Sequence, residues 1–194
     1  MRRSQCAITD RVEIIAILKR CTVGRLATIG MDGYPYITPV NYVYWQDSVY
    51  FHCSHKGEKI DNLKRNPKVC FEVDIPLAYK GTDCDPQAAP CHSHQFYHSV
   101  ILRGRAEIVS DTTEKVPVLN ALMASHENIP DFSCVTREMP GVAACTVVGI
   151  SIESISAKSD LAQNKSAEDK KMIAEYLRKR NLPGDAEAAK LIVS

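Results

Sequence analysis

Residues 48–73, S-V-Y-F-H-C-S-H-K-G-E-K-I-D-N-L-K-R-N-P-K-V-C-F-E-V, constrain the fold more than any other stretch of the chain. Val49, Phe51 and Cys53 alternate with Ser48, Tyr50 and His52, the period-2 pattern of a half-buried strand. Ser54 is placed to cap a helix that follows at once, with Ile60 and Leu63 as its apolar edge. Asn66-Pro67 ends that helix, because proline drives the preceding residue out of the helical region. Val69, Phe71 and Val73 open a second alternating strand. A helix start offers unpaired N–H groups and partial positive charge, and this one also carries Lys56 and Lys59, with His52 and His55 just ahead. Strand, turn and basic helix together invite a phosphate. The plainer reading of the same residues is a solvated basic helix bridging two strands.

The remaining chain repeats strand signals in hairpin order. Thr9-Asp10 with Glu13 starts a helix whose apolar face is Ile14, Ile15, Ile17 and Leu18. Cys21 to Ile29 reads as a strand, Gly30-Met31-Asp32-Gly33 as a turn, and Tyr34 to Trp45 as a long strand. Pro35 and Pro39 exclude a regular central strand there, so a bulge or an edge is expected, with backbone groups left for a ligand. Ile75 to Phe96 reads as an irregular loop, followed by a strand from Tyr97 to Val109 in which Gly104 and Ala106 suit close approach of a neighbour. Asp111 with Glu114 resembles a capping box for a helix in which Pro117 predicts a kink or a later start. A short helix is expected near Ser133 to Glu138 and a final strand over Gly141 to Ser156. Ser166 with Asp169 caps a helix bearing Met172, Ile173, Tyr176 and Leu177, and Asp185 to Val193 forms one more. Strands in this order do not build a parallel α/β sheet; they predict a mainly β protein, an antiparallel barrel with peripheral helices.

Composition narrows the function. The 194 residues are 45% hydrophobic, enough for a core, and the net charge of +1 gives no footing for nucleic acid. No apolar run reaches membrane length, and Met-Arg-Arg at the start is not followed by a signal-type apolar core. The expected compartment is the cytoplasm, with no membrane partner. The 8 cysteines form no C-x-x-C pair and several fall inside strand patterns, so they read as free thiols acting as small hydrophobes.

Several motifs recur together in a known order: Arg25-Leu26-Ala27-Thr28, Y-P-Y-I-T-P-V-N at 34–41, Y-F-H at 50–52, G-E-K at 57–59, N-P-K-V-C-F-E-V at 66–73 and Y-H-S-V-I-L-R-G-R-A-E at 97–107. This set resembles the FMN-binding split-barrel family related to pyridoxamine 5′-phosphate oxidase. Within that family it looks most like the nitroimidazole-resistance proteins, which share M-R-R, Y-F-H, N-P-x-V-C-F-E-V and Y-x-S-V-I. The resemblance covers residues 1–157 and leaves 158–194 as a helical extension. It implies a six-stranded antiparallel split β-barrel and a homodimer with FMN at the interface. Thr38, Pro39, Val40 and Asn41 would line the ribityl chain and isoalloxazine, with His52 and Cys53 closing the same wall. Lys59, with Ser54, would hold the phosphate, and Ser99 would reach the flavin from a later strand. His52 matches the position beside the flavin near which substrate binds, and an imidazole there could supply a proton. The implied activity is FMN-dependent reduction of small oxidised molecules such as nitro compounds, with NAD(P)H as a possible donor. The alternative is a non-catalytic flavin or haem carrier, or a flavin-responsive regulator.

The departures bear on that activity. The oxidase's C-terminal segment rich in Arg and Trp is missing, and Glu58 stands where the oxidase has arginine. Gln163-Asn164-Lys165-Ser166 resembles a short motif of FMN-binding transcriptional regulators of the same fold. A rival constellation, Cys84, Cys91, His92, His94 and His98, suggests metal through its His-x-x-x-His spacing. In a strand, however, residues four apart stand roughly 13 Å from one another, and the expectation is no metal.

Overall fold

The computed structural model describes residues 3–87, 89–129 and 131–194. Met1 and Arg2 of the opening M-R-R, Ala88 in the expected 75–96 loop, and Pro130 lie outside the described residues. The strands are β1 (Ala7–Ile8), β2 (Val23–Ile29), β3 (Pro35–Trp45), β4 (Ser48–Cys53), β5 (Lys68–Lys80), β6 (His94–Val109) and β7 (Thr146–Asp160). The helices among the described residues are α1 (Arg11–Arg20), α2 (Glu58–Arg65), α3 (Thr112–His126), α4 (Pro140–Ala144), α5 (Ala167–Arg180) and α6 (Asp185–Val193). The chain divides into two compact units, and β5, β6 and β7 each contribute residues to both.

One unit, residues 15–73 and 101–155, holds the barrel. Its strands follow the order β7-β4-β3-β2-β5-β6, and β6 pairs back onto β7 to close the ring. The β2–β3, β2–β5, β3–β4 and β4–β7 ladders are antiparallel. Leu26, Tyr42, Val49, Phe51, Phe71, Leu102 and Ile150 fill it, each side chain essentially removed from water. The Tyr42 hydroxyl donates to the Leu18 carbonyl at 2.6 Å, and burial pushes its phenol well above the ordinary range. Gly104 is small for the reason the sequence suggests. A Cβ there would stand 2.1 Å from the Ser151 carbonyl oxygen of the neighbouring strand. Outside the barrel, Val118, Leu119 and Leu122 of α3 pack with Val43, Val142 and Val147.

The proline-bearing half of β3 forms an edge and no bulge. Pro35 to Asn41 pair continuously with Ile29 to Val23 on one side. The β3–β4 ladder begins only at Tyr42↔Phe51 and runs to Trp45↔Ser48. The missing proline N–H groups therefore cost this sheet little.

The other unit comprises residues 1–14, 74–100 and 156–194. β1 pairs with the end of β7 through Ala7↔Lys158 and Ile8↔Ala157, so β7 runs through position 157. Its core joins Leu77, Ala78 and Phe96 to Ile173, Ala174, Leu177, Ala188, Ala189 and Ile192. Ser166 caps α5 as its sequence implies, its hydroxyl accepting from the Asp169 N–H at 3.1 Å.

Three local expectations are corrected. β5 continues through Pro76 to Lys80, because Leu77 and Ala78 gain burial against α5 and α6; only residues 81–93 are left to the loop. Residues 133–138 are not helical: the helix is α4, which starts on Pro140, and β7 begins at Thr146. Of the two outcomes expected at Pro117, the later start is the one overturned: α3 begins at Thr112, capped by Asp111, with Pro117 inside it.

Candidate functional site

β4 ends at Cys53 and α2 begins at Glu58, so the expected phosphate turn is four residues long. Ser54 does not cap α2. Its Oγ accepts only a long bond from the Lys56 N–H, at 3.4 Å. The cap is Gly57, whose carbonyl accepts from Ile60 and Asp61 and whose φ of 125° suits glycine alone. With no capping side chain, the N–H groups of the first turn remain for solvent or a ligand. His55 takes no part: Nε2 donates to the Ala143 carbonyl at 2.9 Å, and Nδ1 lies 2.7 Å from the Thr146 hydroxyl. Lys56 is exposed. Lys59 is half-buried, its ammonium 5.4 Å from the centroid of the buried Phe51 ring.

Strand alternation sorts the expected flavin residues onto two faces. Thr38 and Val40 follow Tyr42 on the buried side of β3, while Pro39 and Asn41 are exposed on the other. On β4, Cys53 shares the face of Phe51, and His52 is exposed on the opposite one. Lys59 and Cys53 are close enough that the ammonium pulls the thiol down, but burial is the larger effect and pushes it up. Cys53 is therefore no ready thiolate. His52 and Cys53 do not present side chains to a common surface; what they share is the point where β4 gives out opposite the free edge of β3.

Asn41 and His52 meet at the lip of a cleft of about 410 Å³, whose walls are Leu119, Leu122 and Met123 of α3 together with Val135, Met139 and Val142. The volume lies within the usual range for small-molecule sites, and the lining is mostly apolar with few polar groups. Among the described residues the His52 side chain makes no hydrogen bond or ion pair, so its ring is not tied into the barrel wall. His126, which also lines the cleft, is tied: its ring lies 2.9 Å from the Leu122 carbonyl and 3.0 Å from that of Thr22. Sequence reasoning missed α3 and residues 135–145 as walls, since their apolar positions read equally well as core.

Ser99 belongs to the other unit, half-buried on β6. So do the residues of the rival metal constellation. His94 and His98 both lie in β6; His94 bonds Asp160 at 3.1 Å and His98 bonds the Ser159 hydroxyl at 2.8 Å. Each is thus committed separately, and no cluster of metal-ligating side chains forms among the described residues.

A closed six-strand ring with a free strand edge defines a split barrel. The chain belongs to the pyridoxamine 5′-phosphate oxidase family, whose sequence profile matches residues 10–159. Among curated protein sequences none matches. Among solved structures it is similar to a candidate 5-nitroimidazole antibiotic resistance protein from Bacteroides thetaiotaomicron, with a TM-score of 0.67, 24% identity, and 79% of this chain and 86% of that one covered. A flavocytochrome from Azotobacter vinelandii gives 0.69 at 24% identity over 82% and 72% of the two chains. A protein from Mycobacterium smegmatis that binds FAD and haem gives 0.68 at 19% over 84% and 77%. At such identities the likeness is one of fold.

Proposed function

We propose that the protein is an FMN-dependent reductase of small oxidised molecules, nitro compounds among them. The observation that carries this reading is the juxtaposition of the free β3 edge, the uncapped α2 start with Lys59, and an apolar cleft with an unbonded histidine at its lip. These residues fit the group. Lys59 and the first-turn N–H groups of α2 would hold the phosphate, and the backbone of Thr38, Pro39, Val40 and Asn41 would follow the ribityl chain and ring, closed by Cys53 and Ser54. Bound FMN would supply hydride transfer, with NAD(P)H as its donor. Reducing a nitro group to nitroso consumes a hydride and a proton and releases water. His52, whose side chain is not tied as that of His126 is, would deliver that proton from a ring nitrogen. The apolar walls from α3 would hold an aromatic substrate and exclude water around it.

The same strands support a homodimer with the flavin at its interface. Cross-strand neighbours Ile29 and Pro35, and Ala27 and Ile37, form an outward apolar stripe, with Ile37 61% and Ile29 42% exposed. An apolar stripe of this kind marks an association surface. The test is the visible spectrum of the purified protein. A flavin spectrum bleached by NADH or NADPH and restored by a nitroaromatic is the expected result. A flavin that no donor reduces, or a Soret band in its place, would favour the non-catalytic carrier or regulator.

A further inference from the structure

The unit made by residues 1–14, 74–100 and 156–194 contains a second, polar cavity of about 270 Å³. Lys80, the last residue of β5, lines it and is only 7% exposed. Lysine is almost never buried without a partner, because an isolated ammonium loses far more hydration than packing returns. The Lys80 side chain makes no hydrogen bond or ion pair with any described residue, and its nitrogen is not sealed from solvent: the stem is buried and the ammonium remains accessible.

The acids nearby are engaged elsewhere. Asp160 is the acid in the cavity wall, and it is buried. Its Oδ1 is bonded by His94 at 3.1 Å, and its Oδ2 faces Arg3 at 3.4 Å and Lys158 at 3.3 Å. On the loop after β5, the Asp83 carboxylate accepts from the Tyr176 hydroxyl at 2.8 Å and that of Asp85 from the Gln87 N–H at 3.2 Å. Lys165 and Asn164 add a second exposed cation and an amide to the lining. With Arg3, Lys80 and Lys165 against Asp160, the cavity carries an excess of positive charge that the protein does not neutralise.

We propose that this cavity binds a small oxyanion of the phosphate type, with Lys80 as the buried anchor and Lys165, Asn164 and Arg3 closing from the rim. Its volume falls just below the usual range for drug-sized ligands, which suits inorganic phosphate or a small phosphate monoester and not a nucleotide. Gln163-Asn164-Lys165-Ser166, the motif unexplained by the flavin site, thereby gains a role, and residues after 158 become part of a binding site. The inference is independent of the flavin reading, since it shares no residue with it.

The experiment is titration calorimetry of the full chain with inorganic phosphate and, separately, with glycerol 3-phosphate, against chloride at equal ionic strength. Binding of both is expected; tighter binding of the ester identifies a monoester as the ligand, and equal binding identifies phosphate itself. Lys80→Met should lose at least tenfold in affinity while melting no lower than wild type in phosphate-free buffer, since the stem keeps its packing and no described partner is stranded. Lys80→Arg should recover part of the affinity. Should Lys80→Met misfold, Lys165→Gln, on an exposed side chain, should still weaken binding about threefold or more. No phosphate binding by wild type overturns the proposal. So does binding that survives both Lys80→Met and Lys165→Gln, or that is abolished by Lys59→Glu instead.

Discussion

Asp185→Ala offers a quantitative test of how the C-terminal helices are held. Asp185 opens α6, its side chain 1% exposed, and faces Arg180 in a two-pronged pair: Nη2 donates to Oδ1 at 2.6 Å and Nε to Oδ2 at 2.9 Å. The Leu182 N–H donates to Oδ2 at 2.8 Å. Removing the carboxylate strands the guanidinium and an amide donor together. Breaking a buried pair costs about 3–5 kcal/mol, and because the Arg180 side chain keeps 22% exposure the lower end, about 3 kcal/mol, applies. For a chain of this length that is a fall in Tm of about 6–12 °C. Adding Arg180→Met should restore part of the loss by removing the stranded charge. It should not restore all of it, since Arg180 also donates to the Tyr79 carbonyl at 2.8 Å and the Tyr176 hydroxyl at 3.0 Å. The pH dependence has a definite sign. Arg180, then the Leu182 N–H, hold the Asp185 carboxyl below its usual range against burial. A depressed folded value gives stability present above the unfolded value, about pH 3.9, and lost as pH falls through the folded one. The gap between wild type and Asp185→Ala, read by calorimetry or urea melts, should hold at neutral pH and close in acid. A loss under about 1 kcal/mol, typical of a surface ion pair, would refute the reasoning.

Gly104→Val places a branched side chain where even a Cβ meets the Ser151 carbonyl oxygen at 2.1 Å, so the β6–β7 seam must open; destabilisation of about 3 kcal/mol or more is expected in chemical denaturation. His52→Ala should retain the flavin spectrum while nitroaromatic turnover falls about a hundredfold, the ordinary contribution of a positioned acid; unchanged turnover removes His52 from the mechanism.

Some of this molecule is legible in its sequence because short-range chemistry decided it. Asp10 accepting from the Val12 N–H, Asp111 from Thr113 and Ser166 from Asp169 each start a helix where the cap residue stands. The edge at Pro35 and Pro39 follows from two absent N–H groups. Other features are long-range. Residues from Ile75 on read as an irregular loop, yet β5 continues because helices about a hundred residues further on cover Leu77 and Ala78. That misreading also hid Lys80, which, once β5 is extended, follows Ala78 on the same parity as a buried position. Asn41 and His52 could be paired from the β3–β4 hairpin, being one step beyond Tyr42↔Phe51. The α3 wall of their cleft could not be placed, because only packing against Val43 and Val147 orients that helix. Ser54 was a reasonable cap by residue type; a glycine free to adopt positive φ nearer the first turn took its place.

The most direct measurement of the central claim is FMN affinity, by fluorescence titration of deflavinated wild-type and Lys59→Glu protein. The claim is that the turn between β4 and α2 holds the flavin phosphate. Reversing the charge beside a phosphate should weaken binding by about a hundredfold or more, equivalent to about 2.8 kcal/mol, with riboflavin, which lacks the phosphate, almost unaffected. Equal FMN affinity in the two proteins, with circular dichroism unchanged, would contradict it.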